Sequence, residues 1–312
     1  MADEKRIATR QSYGEALVEL GREYDDFMVL DADLAASTKT GMFQKEFPER
    51  FLDCGIAEQN LMGVAAGIAS TGHKVFASSF AMFAVGRAYE VIRNSIGYPH
   101  LHVVIGATHA GTSVGEDGAT HQCNEDIALM RTIPGMTVIV PADHVEAKAA
   151  VRAAYEADGP VYLRLGRLAV PVIHGDDYEF QVGKAVVERE GTDVTVVACG
   201  LMVASALEAA EALAKRGVSC EVVNMATVKP LDEETLLASA RKTGRVVTVE
   251  EHTVIGGLGS AVCDVLSEKL PTPVKRLGVQ DVFGVSGPAL RLLSKYRLDG
   301  AGVADSIADF LK

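Results

Sequence analysis

The chain has 312 residues, 48% hydrophobic and 23% charged, which is enough for two compact α/β domains with large cores and argues against extended disorder. Its formal net charge of −12 disfavours nonspecific attraction to nucleic acid or an anionic membrane, while a local Arg/His cluster can still serve small anionic substrates. The five cysteines (Cys54, Cys123, Cys199, Cys220 and Cys263) are odd in number, scattered and never spaced CxxC, which argues against a disulfide framework or a zinc site and fits reduced thiols. The start, MADEKRIATR, has no apolar signal core, and no run reaches membrane-spanning length, so a cytoplasmic protein is expected.

Short β-branched apolar runs alternate with longer helical patterns, the signature of a parallel α/β sheet. In chain order the pattern predicts strands over 27–30, 74–77, 102–106, 137–140 and 161–163, with helices over 59–70, 86–95, 124–131 and 144–156. The helix after Gln59 is apolar nearly all round, so it is expected to be buried on most sides. A stretch mixing Pro, Gly, Asp and His, 171–180, reads as an interdomain linker. A second series follows: strands over 194–198, 219–223, 245–249 and 274–277, and helices over 202–216, 232–243 and 258–270. The expected fold is α/β with two doubly wound domains, 1–180 and 181–312.

Three polar clusters fall at strand-to-helix junctions, where ligands of open α/β sheets bind. In DCGIAEQN, Glu58 opens the apolar helix. It is either a first-turn acid complementing the helix dipole or a carboxyl in an apolar crevice that exchanges a proton near neutrality. In HAGTSVGEDGATHQ, His109, Asp117 and His121 share one glycine-rich loop. Such a loop suits acid–base handling of a sugar or phosphate better than plain connection; ligation of a divalent ion is the lesser alternative. In SFAMF, Phe80 and Phe83 are either ordinary core or a stacking wall beside a heteroaromatic cofactor. Gly257-Leu258-Gly259-Ser260-Ala261 partly imitates a dinucleotide fingerprint without its third glycine, and reads as a turn for close strand–helix packing.

Together the segments IATRQSYGEAL, DADLAAST, DCGIAEQNLMGVAAGIA, FASSFAMF, HAGTSVGEDGATHQ, MTVIVPAD and YLRLGR resemble the transketolase family, in the family's order over 7–167. VGEDGATHQ is the most specific of them, and VTVEEHTVIGGLGSAV is similar to the family's C-terminal domain. The resemblance implies a pyrimidine-binding thiamine-diphosphate domain followed by a transketolase C-terminal-like domain. It implies that Glu58 hydrogen-bonds the cofactor's aminopyrimidine and so promotes loss of the thiazolium C2 proton. Phe80 and Phe83 match the aromatic wall, and Asp33 and Ile56 the cofactor-side contacts. His109, Asp117 and His121 match positions that contact the donor hydroxyls and the two-carbon intermediate, the two histidines with catalytic roles. Arg10, Ser37 and Arg167 match the phosphate holders; Arg164 competes with Arg167, and the spacing to AVP favours Arg167.

Two departures stand out. Ala84-Val85-Gly86 occupies the place of a third aromatic contact, and the Gly-Asp-Gly motif that holds metal and diphosphate never occurs. The implied protein is therefore the C-terminal subunit of a split transketolase in the pentose phosphate pathway. It would share thiamine diphosphate with an N-terminal subunit that carries the Mg2+ or Ca2+, in a two-plus-two assembly acting on sugar phosphates. No metal ligand is expected in this chain. The alternatives are the β subunit of a 2-oxoacid dehydrogenase and a noncatalytic pyrimidine-domain scaffold.

Overall fold

The computed structural model describes residues 5–312. Apolar runs buried along nearly their whole length, such as Lys74–Phe80 and Val103–Thr108, suit a parallel sheet covered on both faces. The first sheet orders its parallel strands as Thr137–Ile139, Val161–Arg164, Val103–Thr108, Lys74–Phe80, Phe27–Asp31 and Phe51–Asp53. A seventh strand, Thr227–Lys229, arrives from the second half of the chain and pairs antiparallel with Thr137–Ile139 at the edge. The second sheet runs Val274–Val279, Val246–Thr253, Val194–Ala198, Cys220–Asn224 and Val186–Arg189, with the last strand antiparallel. A short ribbon joins Arg6–Ala8 to Ala169–Pro171. One apolar cluster, from Leu61, Ile105 and Tyr162 to Val197, Met225 and Leu258, runs through both sheets.

Helix ends follow their capping chemistry. Helix His144–Glu156 starts where expected because the Asp143 carboxylate accepts from the Glu146 amide at 2.9 Å, an N-cap bond. Helix Glu233–Thr243 lies between the capping Asp232 and Gly244 in the left-handed conformation. The expected α-helix over 86–95 is different: π-helical turns Met82–Arg87 and Ile92–Gly97 flank a short α-helix, Ala88–Val91. Such wide turns recur where a helix must reshape around a site. Helices Thr9–Glu23, Ala289–Lys295 and Gly300–Leu311 add to the expected set. No helix among the described residues is long and apolar enough to cross a membrane.

The segment expected as a linker is a packed strap. Its Ile173 and His174 amides donate to the Asp143 carboxylate at 2.8 and 2.9 Å. The His174 ring stands 3.1 Å from Asp143 and 3.0 Å from Glu188, with Tyr178 stacked at 3.9 Å. Tyr178 also donates to Glu146, which takes a further bond from Asn224 at 2.9 Å.

Candidate active site

Five neighbouring parallel strands deliver their carboxyl ends to one edge of the first sheet, and the expected site residues follow them. Phe27–Asp31 leads to Asp33 and Ser37, Phe51–Asp53 to Ile56 and Glu58, Lys74–Phe80 to Phe80 and Phe83, Val103–Thr108 to His109, and Val161–Arg164 to Arg167. Such an edge is the ligand crevice of an open α/β sheet. A cleft of about 1220 Å3 lies there, lined in part by Ile56, Glu58, Met82, Phe83, Arg87 and Thr120. Glu58 is the first residue of helix Glu58–Ala69 and only 9% exposed. No donor among the described residues reaches its carboxylate. Ile56, two residues before it, is 82% exposed.

A run of rings leads from this cleft to the glycine-rich loop. Phe80 and Phe83 stack at 5.7 Å, His121 meets Phe83 edge-on at 5.1 Å, and His109 stacks on Phe80 at 3.7 Å. Both nitrogens of His109 are engaged, Nε2 with Arg10 Nη1 at 3.1 Å and Nδ1 with Thr108 Oγ1 at 2.8 Å. Arginine can only donate, so Nε2 is the acceptor and the proton sits on Nδ1, donating to Thr108. Burial, then the charges of Arg10 and Arg167, push the His109 imidazole down to about 3, so the ring is neutral at physiological pH. A neutral ring already bonded to a guanidinium is ill placed to ligate a cation.

Arg10 also donates to the Ser37 carbonyl at 2.8 Å, which ties the first helix to the loop after Phe27–Asp31. Arg167 donates to the Val114 carbonyl at 2.5 Å and stands 3.3 Å from Asp117. Both side chains of that pair are more than a third exposed. An exposed pair contributes little stability, so it can open for an incoming anion. Arg164 is a different residue altogether. It is buried, and its Nε and Nη2 meet the Asp126 carboxylate at 2.7 and 3.2 Å, while Nη2 also serves the Glu251 carbonyl at 2.9 Å. Asp33 has a left-handed backbone and an exposed side chain; its amide donates to Asp53 at 3.0 Å.

Several residues that shape the site escaped the sequence reading. Asp31 is fully buried and accepts from Thr38 Oγ1, Thr40 Oγ1 and the Leu34 amide at 2.7, 2.8 and 2.7 Å, which folds the loop that presents Ser37. Gln122 Nε2 donates to the Gly115 and Val285 carbonyls at 3.1 and 2.9 Å, holding the far end of the histidine loop to the second half of the chain. Met82 packs onto Gly86, its methyl group lying where a Gly86 Cβ would stand. A flexible thioether suits such close packing. The glycine turn at Gly257 is no dinucleotide cradle, since Glu250 already accepts from the Leu258 and Gly259 amides at 2.7 and 2.9 Å. A repeated acid in VTVEEH was the one signal for Glu250 and its neighbour Glu251.

Residues 5–172 match the family described as transketolase, pyrimidine binding domain, and residues 183–303 the transketolase C-terminal domain. The transketolase C-terminal section of Methanocaldococcus jannaschii is 52% identical over 306 residues, covering 97% of this chain and 96% of that protein. The 6-deoxy-6-sulfo-D-fructose transketolase subunit SqwH of Clostridium sp. (strain MSTE9) is 45% identical over 93% of this chain and 90% of its own length. A solved structure described as a split gene transketolase, inactive β4 tetramer, is 56% identical, covers 98% of both chains and superposes with a TM-score of 0.91. With its cleft at the strand ends and both domain matches in order, the chain belongs to the transketolase family and resembles the C-terminal subunit of a split transketolase.

Proposed function

We propose that this chain is the C-terminal subunit of a two-chain transketolase that moves a two-carbon ketol unit from a ketose phosphate to an aldose phosphate. The observation that carries the reading is the continuity of the site: from Phe83, on the wall of the cleft that holds the Glu58 carboxylate, side-chain contacts run through His121 and Phe80 to His109 and Arg10. The donor set fits the pyrimidine half of thiamine diphosphate, because the cleft is lined by the Glu58 carboxyl, which meets no donor among the described residues, and by Phe83, stacked on Phe80 behind it. When bound, the cofactor supplies the electron sink for the carbanion of the donor.

The chain's own residues would divide the remaining work. Glu58, sheltered at a helix start, would hold a proton against the aminopyrimidine, with Phe80 and Phe83 as its wall and Met82 packed on Gly86. Asp33 and Ile56 would be cofactor-side contacts. The exposure of Ile56 at the cleft supports a partner chain that covers it and brings diphosphate and Mg2+ or Ca2+. On the sugar side, neutral His109 holds the Arg10 guanidinium at Nε2, so a sugar hydroxyl would meet this pair either through Arg10 or by displacing it from the ring, and His121 and Asp117 border the same loop. Arg10 and Arg167, beside the Ser37 segment, offer two guanidinium groups to a phosphate, or to the sulfonate that the SqwH relative's name implies for that protein.

The solved relative's β4 tetramer is described as inactive, which supports dependence on a partner and self-association in a two-plus-two assembly. Assay of the purified chain alone and together with a subunit bearing Gly-Asp-Gly, against a panel of ketose phosphates and 6-sulfo ketoses, tests the reading. Ketol transfer is expected from the pair only. Robust transfer by the single chain would overturn it.

A further inference from the structure

Successive side chains of a strand point to opposite faces, and on strand Val246–Thr253 this sends two adjacent acids to different tasks. Glu250 serves its own half of the chain by accepting from the first amides of helix Leu258–Lys269. Glu251 leaves the second sheet and enters the histidine loop of the first. Its carboxylate accepts from the Ser113 amide and from Thr112 Oγ1, the latter at 3.2 Å. It is 3% exposed, so these bonds form away from competing water and favour the ionised carboxyl that burial by itself disfavours.

The loop lies directly on this acid. Gly111 has φ +79°, a conformation glycine adopts freely, and a Cβ there would collide with the Glu251 carboxyl. The acid's own backbone is fixed in turn, because its carbonyl accepts from Arg164 Nη2 at 2.9 Å and Arg164 is locked onto Asp126. Thr112 and Ser113 open the turn that connects His109, stacked on Phe80, to Asp117, paired with Arg167. Glu251 therefore grips the loop between two candidate substrate contacts without facing the cleft, whose lining does not include it.

We propose that Glu251 is a positioning residue: from the C-terminal domain it sets the register of the loop that carries His109, Asp117 and His121. The proposal rests on the reading that this loop handles the sugar donor, and its first test does not need that reading. In the full-length chain, the imidazole NMR signals of His109 and His121 and the amide exchange of 109–122 are compared in wild type, Glu251→Ala and Glu251→Gln. Glu251→Ala is expected to move both histidine signals and to speed Ser113 amide exchange at least tenfold, with exchange in strand Val194–Ala198 unchanged. Glu251→Gln keeps an oxygen acceptor for the Ser113 amide and is expected to restore most of both properties. Gly111→Ala, which pushes on the carboxyl from the loop side, is expected to reproduce the Glu251→Ala signals. Histidine signals unmoved in Glu251→Ala, or protection lost evenly along the chain in both Glu251 variants, would overturn the proposal. In the assembled enzyme, turnover per cofactor-loaded site is expected to fall tenfold or more with cofactor affinity unchanged, since misplacement by about 1 Å costs up to ~100-fold. Moved histidine signals with unaltered turnover would instead sink the sugar-handling reading and leave the positioning intact.

Discussion

Around Arg164 the chain supplies counterparts for the buried charges, whereas beside the open cleft no donor among the described residues reaches the Glu58 carboxylate. At the junction, Asp126 takes bonds from Arg164 and from Tyr162 Oη at 2.7 Å, and Arg164 reaches the backbone of two further segments. The charge of Arg164 holds Asp126 below the usual carboxylate range although burial works the other way. The strap repeats the pattern with His174 between Asp143 and Glu188. Charges that serve the fold are thus satisfied within the chain, because an unpaired buried ion costs several kcal/mol. At the cleft, Glu58 has no such partner among the described residues, which also leave Ile56 beside it exposed. The contrast separates residues occupied in holding the molecule together from those left open at the cleft.

The sharpest way to break this comparison is Glu58→Ala. In the assembled enzyme we expect exchange at the cofactor's C2 to slow by about 100- to 10,000-fold, the span of general acid–base effects. Stability should change by no more than about 0.5 kcal/mol, as at a site outside the packed network. Near-normal C2 exchange would remove Glu58 from the chemistry, and a large loss of stability would class it with Arg164.

The strap should behave in the opposite way. His174→Ala is expected to destabilise the fold by about 3 kcal/mol, as when one partner of a buried pair is removed, read from urea unfolding. Asp143 and Glu188 raise the His174 imidazole to about 10 against burial, which lowers it. A folded pKa above the unfolded value means that this stability is complete below about pH 6.5 and fades as pH rises toward 10. Wild type should therefore lose stability across that window, and His174→Ala should lose less of it. Parallel pH profiles for the two proteins would contradict the assignment.

Arg167 lies between these extremes, paired with Asp117 yet partly exposed. Arg167→Ala should weaken phosphorylated donors by about 1–3 kcal/mol, the worth of a charged hydrogen bond, with little effect on folding. Equal losses for phosphorylated and free sugars would show that it does not hold the phosphate.

Much of the fold was legible because its signals are local. Helix His144–Glu156 and strand Val194–Ala198 lie where periodicity and capping place them. The strands Arg6–Ala8, Phe51–Asp53 and Thr227–Lys229 have only three residues each, too few for a period to register, and their pairing is decided by distant segments. The π-helical turns after Phe80 were hidden for a related reason: an apolar, helix-forming sequence does not say where a turn widens.

The sequence by itself determined the family and the positions of Glu58, Phe80, Phe83, His109 and His121, because motif residues keep their spacing at strand ends. The spacing to AVP favours Arg167 over Arg164 as the anion holder, and only the tertiary structure shows the physical difference between the two. Arg164 and Arg167 are near neighbours in YLRLGR, but the first is buried against Asp126 and the second stays partly exposed in its pair with Asp117. The same holds for Glu250 and Glu251, adjacent acids that the strand's alternation sends to opposite partners. Hydrogen-bond partners distant in sequence leave no local pattern, so only the packed chain shows whether a charged side chain is occupied or waiting.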